Sequence, residues 1–173
     1  MKNYKEKLAH ITTFIFDFDG VLSDGKVLVT SSGDQLRVTD TKDGYAIQYA
    51  LKQGFNVCIL SGGYSKSMIL RYKGFPKMDI FLQCENKIIK FQEYMKEKNL
   101  QKENIVYVGD DIPDYEVMQM AGLKACPADA ATEILETADY ISHRNGGNGC
   151  VRDIIEQTLR AQNKWLKDGA FHW

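Results

Sequence analysis

Apolar residues fall along this chain in short dense runs, separated by stretches where they recur every three or four positions. Residues 11–16, 55–60, 79–82, 105–108 and 123–126 read as strands, with a shorter one at 140–142. Most of these runs are apolar at consecutive positions, so both faces need cover, as in a parallel sheet flanked by helices. The intervening stretches have helical spacing. Residues 44–52 follow Asp43, which reads as an N-cap, and residues 65–73 open on Ser65. Residues 86–98 set Ile88, Phe91 and Met95 on one stripe, and residues 112–120 run on to Gly122, an expected C′ glycine. Val151, Ile154, Ile155 and Leu159 mark a last amphipathic helix.

This alternation predicts an α/β fold, a doubly wound, Rossmann-like parallel sheet. One region departs from it. Residues 27–30 and 36–39 are strand-like and flank Ser-Ser-Gly-Asp, which predicts a β-hairpin directly after the first strand. With no repeat or long linker, 173 residues suit one domain over 1–173, ending in a tail at 142–173. Charge narrows the partners: 22 Lys+Arg against 23 Asp+Glu leaves net charge −1, with no basic excess for nucleic acid. No run approaches the roughly 18 apolar residues of a membrane span, and the polar N-terminus carries no leader pattern. Cys58, Cys84, Cys126 and Cys150 form no CxxC pair and read as core residues of a reducing cytoplasm.

The chemistry gathers at strand ends. Asp17 and Asp19, in Phe-Asp-Phe-Asp-Gly, close the first apolar run. Residues two apart in extended chain share a side, so both carboxylates face one site, at the strand ends where open α/β sheets bind ligands. Such a pair suits phosphomonoester chemistry, one carboxylate attacking phosphorus and the other moving protons. Asp110, Asp111 and Asp114 cluster after the 105–108 run, three hard oxygen donors where one Asp would serve as a helix cap. Ser61, Gly62 and Gly63 follow the second main strand and offer a hydroxyl and backbone amides to a phosphoryl oxygen. Lys87 opens a helix, where a lysine opposes the dipole, which favours a role in the site over a solvated one; Lys90 is its local competitor.

An acidic pair, a hydroxyl, a lysine and a second acidic cluster, in that order, resemble the four motifs of the haloacid dehalogenase superfamily. The resemblance implies Asp17 as nucleophile, Asp19 as general acid/base, and Ser61 and Lys87 as phosphate and charge partners. It implies Mg2+ held by Asp17, Asp110 and the backbone carbonyl of Asp19, with Asp111 and Asp114 in support, and it makes the hairpin the family's flap. The two places where relatives insert a cap domain are already filled by hairpin, helices and strand, and a unit below about 40 residues rarely folds alone, so the site is expected to be uncapped.

Asp-Gly-Val-Leu-Ser-Asp-Gly, the Lys-Asp-Gly-Tyr-Ala-Ile-Gln stretch and the Gly-Gly-Asn-Gly tail look like the capless branch acting on 3-deoxy-D-manno-octulosonate 8-phosphate. Those enzymes are cytoplasmic homotetramers of lipopolysaccharide sugar synthesis whose flaps and tails close a neighbour's site. The likeness implies a sugar-phosphate pocket lined by Gly62, Asp43, Arg71, Arg144, Gly146, Gly147 and Gly149. One residue departs from the pattern. Arg is common after the Ser/Thr-Gly in this branch and Glu in nine-carbon phosphatases, whereas here it is Gly63, so a nine-carbon keto acid 9-phosphate is the alternative substrate. A receiver domain is disfavoured, because its phosphorylated Asp ends the third strand. A silent scaffold is disfavoured by the intact Asp17, Asp19, Lys87 and Asp110. The closing Phe171-His172-Trp173 is expected to pack on a neighbour rather than fray.

Overall fold

The computed structural model describes residues 3–75 and 77–172. Six parallel strands form one sheet: β1 (Thr13–Phe16), β4 (Asn56–Leu60), β5 (Met78–Phe81), β6 (Ile105–Val108), β7 (Leu123–Cys126) and β8 (Tyr140–Ile141), in the order β5-β4-β1-β6-β7-β8. β1 is central, and the chain winds outward from it first through β4 and β5, then through β6, β7 and β8. The winding reverses beside β1, which places a ligand crevice at its C-terminal end.

Both faces of the inner strands β1, β4, β6 and β7 are largely buried, as the consecutive apolar positions require. Phe14, Phe16, Val57, Ile59, Val106 and Val108 face one core with α2 (Thr41–Lys52) and α7 (Cys150–Ala161). Ile15, Cys58, Leu60, Ile105 and Tyr107 face the other, under α4 (Lys87–Glu97), α5 (Ile112–Met118) and α6 (Thr132–Thr137). α1 (Tyr4–Leu8) and α3 (Lys66–Tyr72) complete the first layer. No described helix is long and apolar enough to cross a membrane.

The hairpin after β1 is present but shorter than expected. β2 (Leu28–Val29) pairs antiparallel with β3 (Gln35–Leu36), and an isolated Ser23–Thr39 bridge closes its base. Among the described residues, a turn over Phe18–Leu22, the hairpin and α2 lie between β1 and β4, and α3 and β5 between β4 and α4, with no cap domain in either place.

Two expectations are corrected. The second helix starts at Thr41, because Asp40, not Asp43, accepts the Lys42 amide at 2.6 Å and caps it. Gly122 is not a left-handed C′ residue. It is glycine because a Cβ there would lie 2.6 Å from the Lys102 carbonyl oxygen. The tail from 163 onward folds back on its own α2. Tyr49 Oη donates to the Lys164 carbonyl at 2.9 Å, Gln53 Nε2 to that of Asp168 at 2.9 Å and Lys52 Nζ to that of His172 at 2.6 Å. Phe171 is exposed, and Trp173, part of the same expectation, lies outside the described residues.

Asp43 is a partner between helices. Its Oδ1 accepts the Arg152 amide at 2.6 Å and its Oδ2 the Gly149 amide at 3.3 Å, satisfying two amides that the start of α7 leaves unpaired. Burial pushes its carboxyl up to about 6, although these amides pull the other way. Asp43→Ala is expected to cost about 2 kcal/mol in denaturant unfolding, with KM for substrate unchanged. A raised KM at full stability would instead make Asp43 a substrate ligand.

Candidate active site

Sheet register assembles the site. Phe16 is level with Ile59 of β4 and with Val108 of β6, and the Asp17 amide donates to the Val108 carbonyl at 2.9 Å. The residues just beyond these ends, Asp17, Ser61 and Asp110, therefore emerge together. Asp17, Asp19, Ser61, Lys87, Asp110 and Asp114 line one pocket of about 300 Å³, with Asp111, Gly62 and Gly63 at its wall.

The chain reverses immediately after Asp17, within a single wide turn over Phe18–Leu22. Gly20 makes that turn possible: its φ is +86°, and a Cβ there would fall 1.9 Å from Asp110 Oδ2. Asp19 is thus returned to the pocket by a turn, not by extended-strand alternation.

Lys87 is the buried cation of the cluster, its side chain only 7% exposed. Its Nζ lies 2.7 Å from Asp114 Oδ1 and 3.1 Å from Asp17 Oδ1. Burial alone would lower its proton affinity, but the Asp17 and Asp114 carboxylates outweigh that and raise it. Asp114 has its oxygens occupied. Oδ1 also accepts from Tyr107 Oη at 2.6 Å, and Oδ2 accepts from the Asp110 amide at 3.2 Å. Asp17 Oδ1, by contrast, is buried without a hydrogen bond, since Lys87 approaches it off the bonding direction.

The pocket holds more negative charge than its lysine can balance. Burial, then the Asp114 charge, pushes Asp17 up to about 7. Burial, then Asp17 and Asp114, pushes Asp110 up to about 8. Ligand oxygens of Asp17, Asp110 and Asp114 lie within 4.8 Å of one another. A hard divalent cation fits these donors and would neutralise them, with Asp17 and Asp110 the better ligands because Asp114 is already engaged. Asp111 is exposed and stands at the N-cap of α5 without a side-chain capping bond.

Of the residues expected to bind sugar, Gly62 stands at this pocket, while Asp43, Arg71, Arg144, Gly146, Gly147 and Gly149 do not line it. Arg71 Nε donates to Thr39 Oγ1 at 3.0 Å in a neighbouring hollow of about 380 Å³. Arg144 is exposed, and its carbonyl accepts the Ala128 amide at 2.9 Å. Gly146 and Gly147 pack under the catalytic-side turn: a Cβ on Gly146 would lie 1.9 Å from the Gly20 carbonyl oxygen, and one on Gly147 would lie 2.4 Å from the Asp24 nitrogen. Gly149 begins α7 with φ +97°. Sequence reading also missed Arg37 and Tyr107. Tyr107 carried a signal, a hydroxyl in an otherwise aliphatic strand ending beside the acidic loop. Arg37 carried none.

Comparison with known proteins agrees with this geometry. A family model for haloacid dehalogenase-like hydrolases matches residues 65–154. The 3-deoxy-D-manno-octulosonate 8-phosphate phosphatase of Salmonella typhi is 35% identical over 158 residues, 91% of this chain and 84% of the relative. A crystal structure of the phosphatase of that name from Yersinia pestis superposes with TM-score 0.91 at 30% identity, covering 94% of this chain and 88% of the other. One from Moraxella catarrhalis, in complex with magnesium, phosphate and KDO, gives TM-score 0.91 at 29% identity over 95% of each chain. Motif order, sheet topology and these likenesses converge: the chain belongs to the haloacid dehalogenase-like hydrolases, among the uncapped phosphatases of that family.

Proposed function

We propose that the chain is a magnesium-dependent phosphomonoesterase that forms an aspartyl-phosphate on Asp17 and acts on 3-deoxy-D-manno-octulosonate 8-phosphate. The observation that carries the reading is Asp17 itself, a carboxylate at the central strand's end whose buried Oδ1 accepts no hydrogen bond and lies beside Lys87. An Asp17 oxygen attacks phosphorus as the ester P–O bond breaks, and Asp19 gives a proton to the departing alkoxide. Asp19 then takes a proton from the water that attacks the aspartyl-phosphate, releasing phosphate and restoring Asp17. Ser61, whose Oγ accepts the Gly63 amide at 3.1 Å, and the Gly62 amide hold phosphoryl oxygens, and Lys87 offsets their charge. Magnesium, when bound by Asp17, Asp110 and the Asp19 carbonyl, supplies further neutralisation of phosphoryl and carboxylate charge.

The substrate follows from the relatives' names together with their coverage of nearly the whole chain. The exposed aliphatic residues of the hairpin, Leu28 at 67% and Val29 at 64%, support assembly into the tetramer expected of this branch. Four free cysteines, three of them buried, suit a reducing cytoplasm. The test is phosphate release from a panel holding the eight-carbon and nine-carbon keto acid esters, with magnesium and with EDTA. A kcat/KM preference for the eight-carbon ester, lost in EDTA, is expected. A nine-carbon preference would move the pathway to nonulosonate synthesis, the reading that Gly63 keeps open. Release undiminished by EDTA would remove the metal role.

A further inference from the structure

The mostly exposed hairpin carries one long side chain that is buried. Most of its apolar side chains face solvent, yet the Arg37 side chain is only 4% exposed. It grips Asp19 with a fork from the side of the neighbouring hollow: Nε lies 2.9 Å from Oδ1 and Nη2 lies 3.0 Å from Oδ2. Ser23 Oγ adds a third bond, to Oδ1, at 3.2 Å. The two oxygens are therefore unlike. Oδ1 is anchored by two donors, and Oδ2 is held by one.

A second observation concerns the side on which Oδ2 lies. A Cβ on Gly63 would stand 2.9 Å from Asp19 Oδ2 and 3.5 Å from Arg37 Nη2. Gly63 does not have the left-handed backbone that would demand glycine. Its missing side chain instead leaves room for the fork and for Oδ2.

We infer that Arg37 is the positioning residue of the proton-transfer carboxylate. It anchors Asp19 through Oδ1 and leaves Oδ2, on the Gly63 side, as the oxygen that exchanges its Nη2 bond for the leaving group. This rests on the phosphatase reading above. In the first half-reaction the proton passes from the Asp19 carboxyl to the alkoxide oxygen as the P–O bond breaks, and Arg37 itself touches neither substrate nor phosphorus. A planar two-pronged donor suits this better than a lysine, which could make only one of the two bonds well. Because Arg37 belongs to the hairpin, the pair also ties the hairpin to the site.

The test compares two esters. p-Nitrophenolate leaves without a proton, whereas the sugar alkoxide needs one. Arg37→Ala is expected to lower kcat/KM for 3-deoxy-D-manno-octulosonate 8-phosphate by about ten- to a hundredfold, chiefly through kcat, as misplacement of a catalytic group does. The loss on p-nitrophenyl phosphate is expected to be several times smaller. Arg37→Lys should recover part of the difference, and Gly63→Ala should reproduce it by turning Oδ2 out of the fork. Backbone amides of residues 28–36 should exchange with deuterium faster in both Arg37→Ala and Asp19→Asn. Equal losses on the two esters would overturn the assignment, as would a rise in KM for the sugar ester at constant kcat, which would put Arg37 on the substrate. A wild-type enzyme inert toward both esters would overturn the phosphatase reading instead. Hairpin exchange unchanged in Asp19→Asn would then sink the pairing on its own.

Discussion

Asp17→Asn is expected to reduce magnesium-supported phosphate release to less than about a thousandth of the wild-type rate while leaving the protein folded. The amide keeps the shape of the side chain and the strand-end backbone, whose amide bonds Val108. What it loses is the proposed nucleophile: an amide oxygen cannot form the aspartyl-phosphate on which the proposed turnover depends. The fold should tolerate the change, because the carboxylate is not there for stability. Burial and the Asp114 charge hold its carboxyl up at about 7, so its ionised form is kept at a cost. Lys87 retains Asp114 at 2.7 Å when Asp17 is neutralised. The thermal midpoint without magnesium should therefore lie within roughly 3 °C of wild type, the span of about 1 kcal/mol in a chain of this size. Phosphate release would be followed on the eight-carbon ester and the midpoint by calorimetry. A variant keeping a tenth of the activity would end the nucleophile assignment.

The strands that carry the site could be read from the chain because their signals are local. Consecutive apolar positions at 105–108 require cover on both faces whatever the partners are, and the structure supplies α7 on one side and α4 and α5 on the other. Asp17, Ser61 and Asp110 were legible for a related reason. Each follows such a run, and a parallel sheet brings strand ends together by construction.

What could not be read depends on contacts between distant segments. Asp40 and Asp43 are both good caps by residue type, and only tertiary structure assigns Asp40 to its own helix and Asp43 to α7, more than a hundred residues away. Gly146 and Gly147 entered only as implied pocket lining, and nothing local showed that the turn holding Gly20 and Ser23 packs directly on them and leaves no room for a Cβ. Arg37 sits in a short polar hairpin where no periodicity separates a solvated arginine from one gripping Asp19. In each case the deciding neighbour lies far off in sequence, and composition carries no trace of it.

Lys87→Met should be the most costly change outside the nucleophile. Removing one partner of a buried ion pair typically costs about 3–5 kcal/mol, because the remaining charge stays buried and uncompensated. Here the ammonium pairs with Asp17 and Asp114, and a third carboxylate, Asp110, has an oxygen within 4.8 Å of theirs. Turnover should fall at least a hundredfold, and arginine should not restore it, since its larger planar head does not suit a point contact at 2.7 Å to Asp114. The stability loss has a definite pH sign in metal-free protein. Lys87 lowers the proton affinity of both Asp17 and Asp110, which burial already holds near 7 and 8. Without it their folded pKa values rise further from the unfolded one. An acid raised in this way favours the fold while protonated, below its unfolded pKa, and that advantage drains away as pH climbs through the folded value. The gap between variant and wild type should therefore widen from pH 6 to pH 8. Magnesium should narrow it, because a pocket stripped of its lysine binds a divalent cation more strongly, and binding to the folded state alone stabilises it. A gap that closes with magnesium assigns Lys87 to charge balance. One that persists at every pH and magnesium concentration would mean that its methylene stem, packed at the start of α4, matters more than its charge.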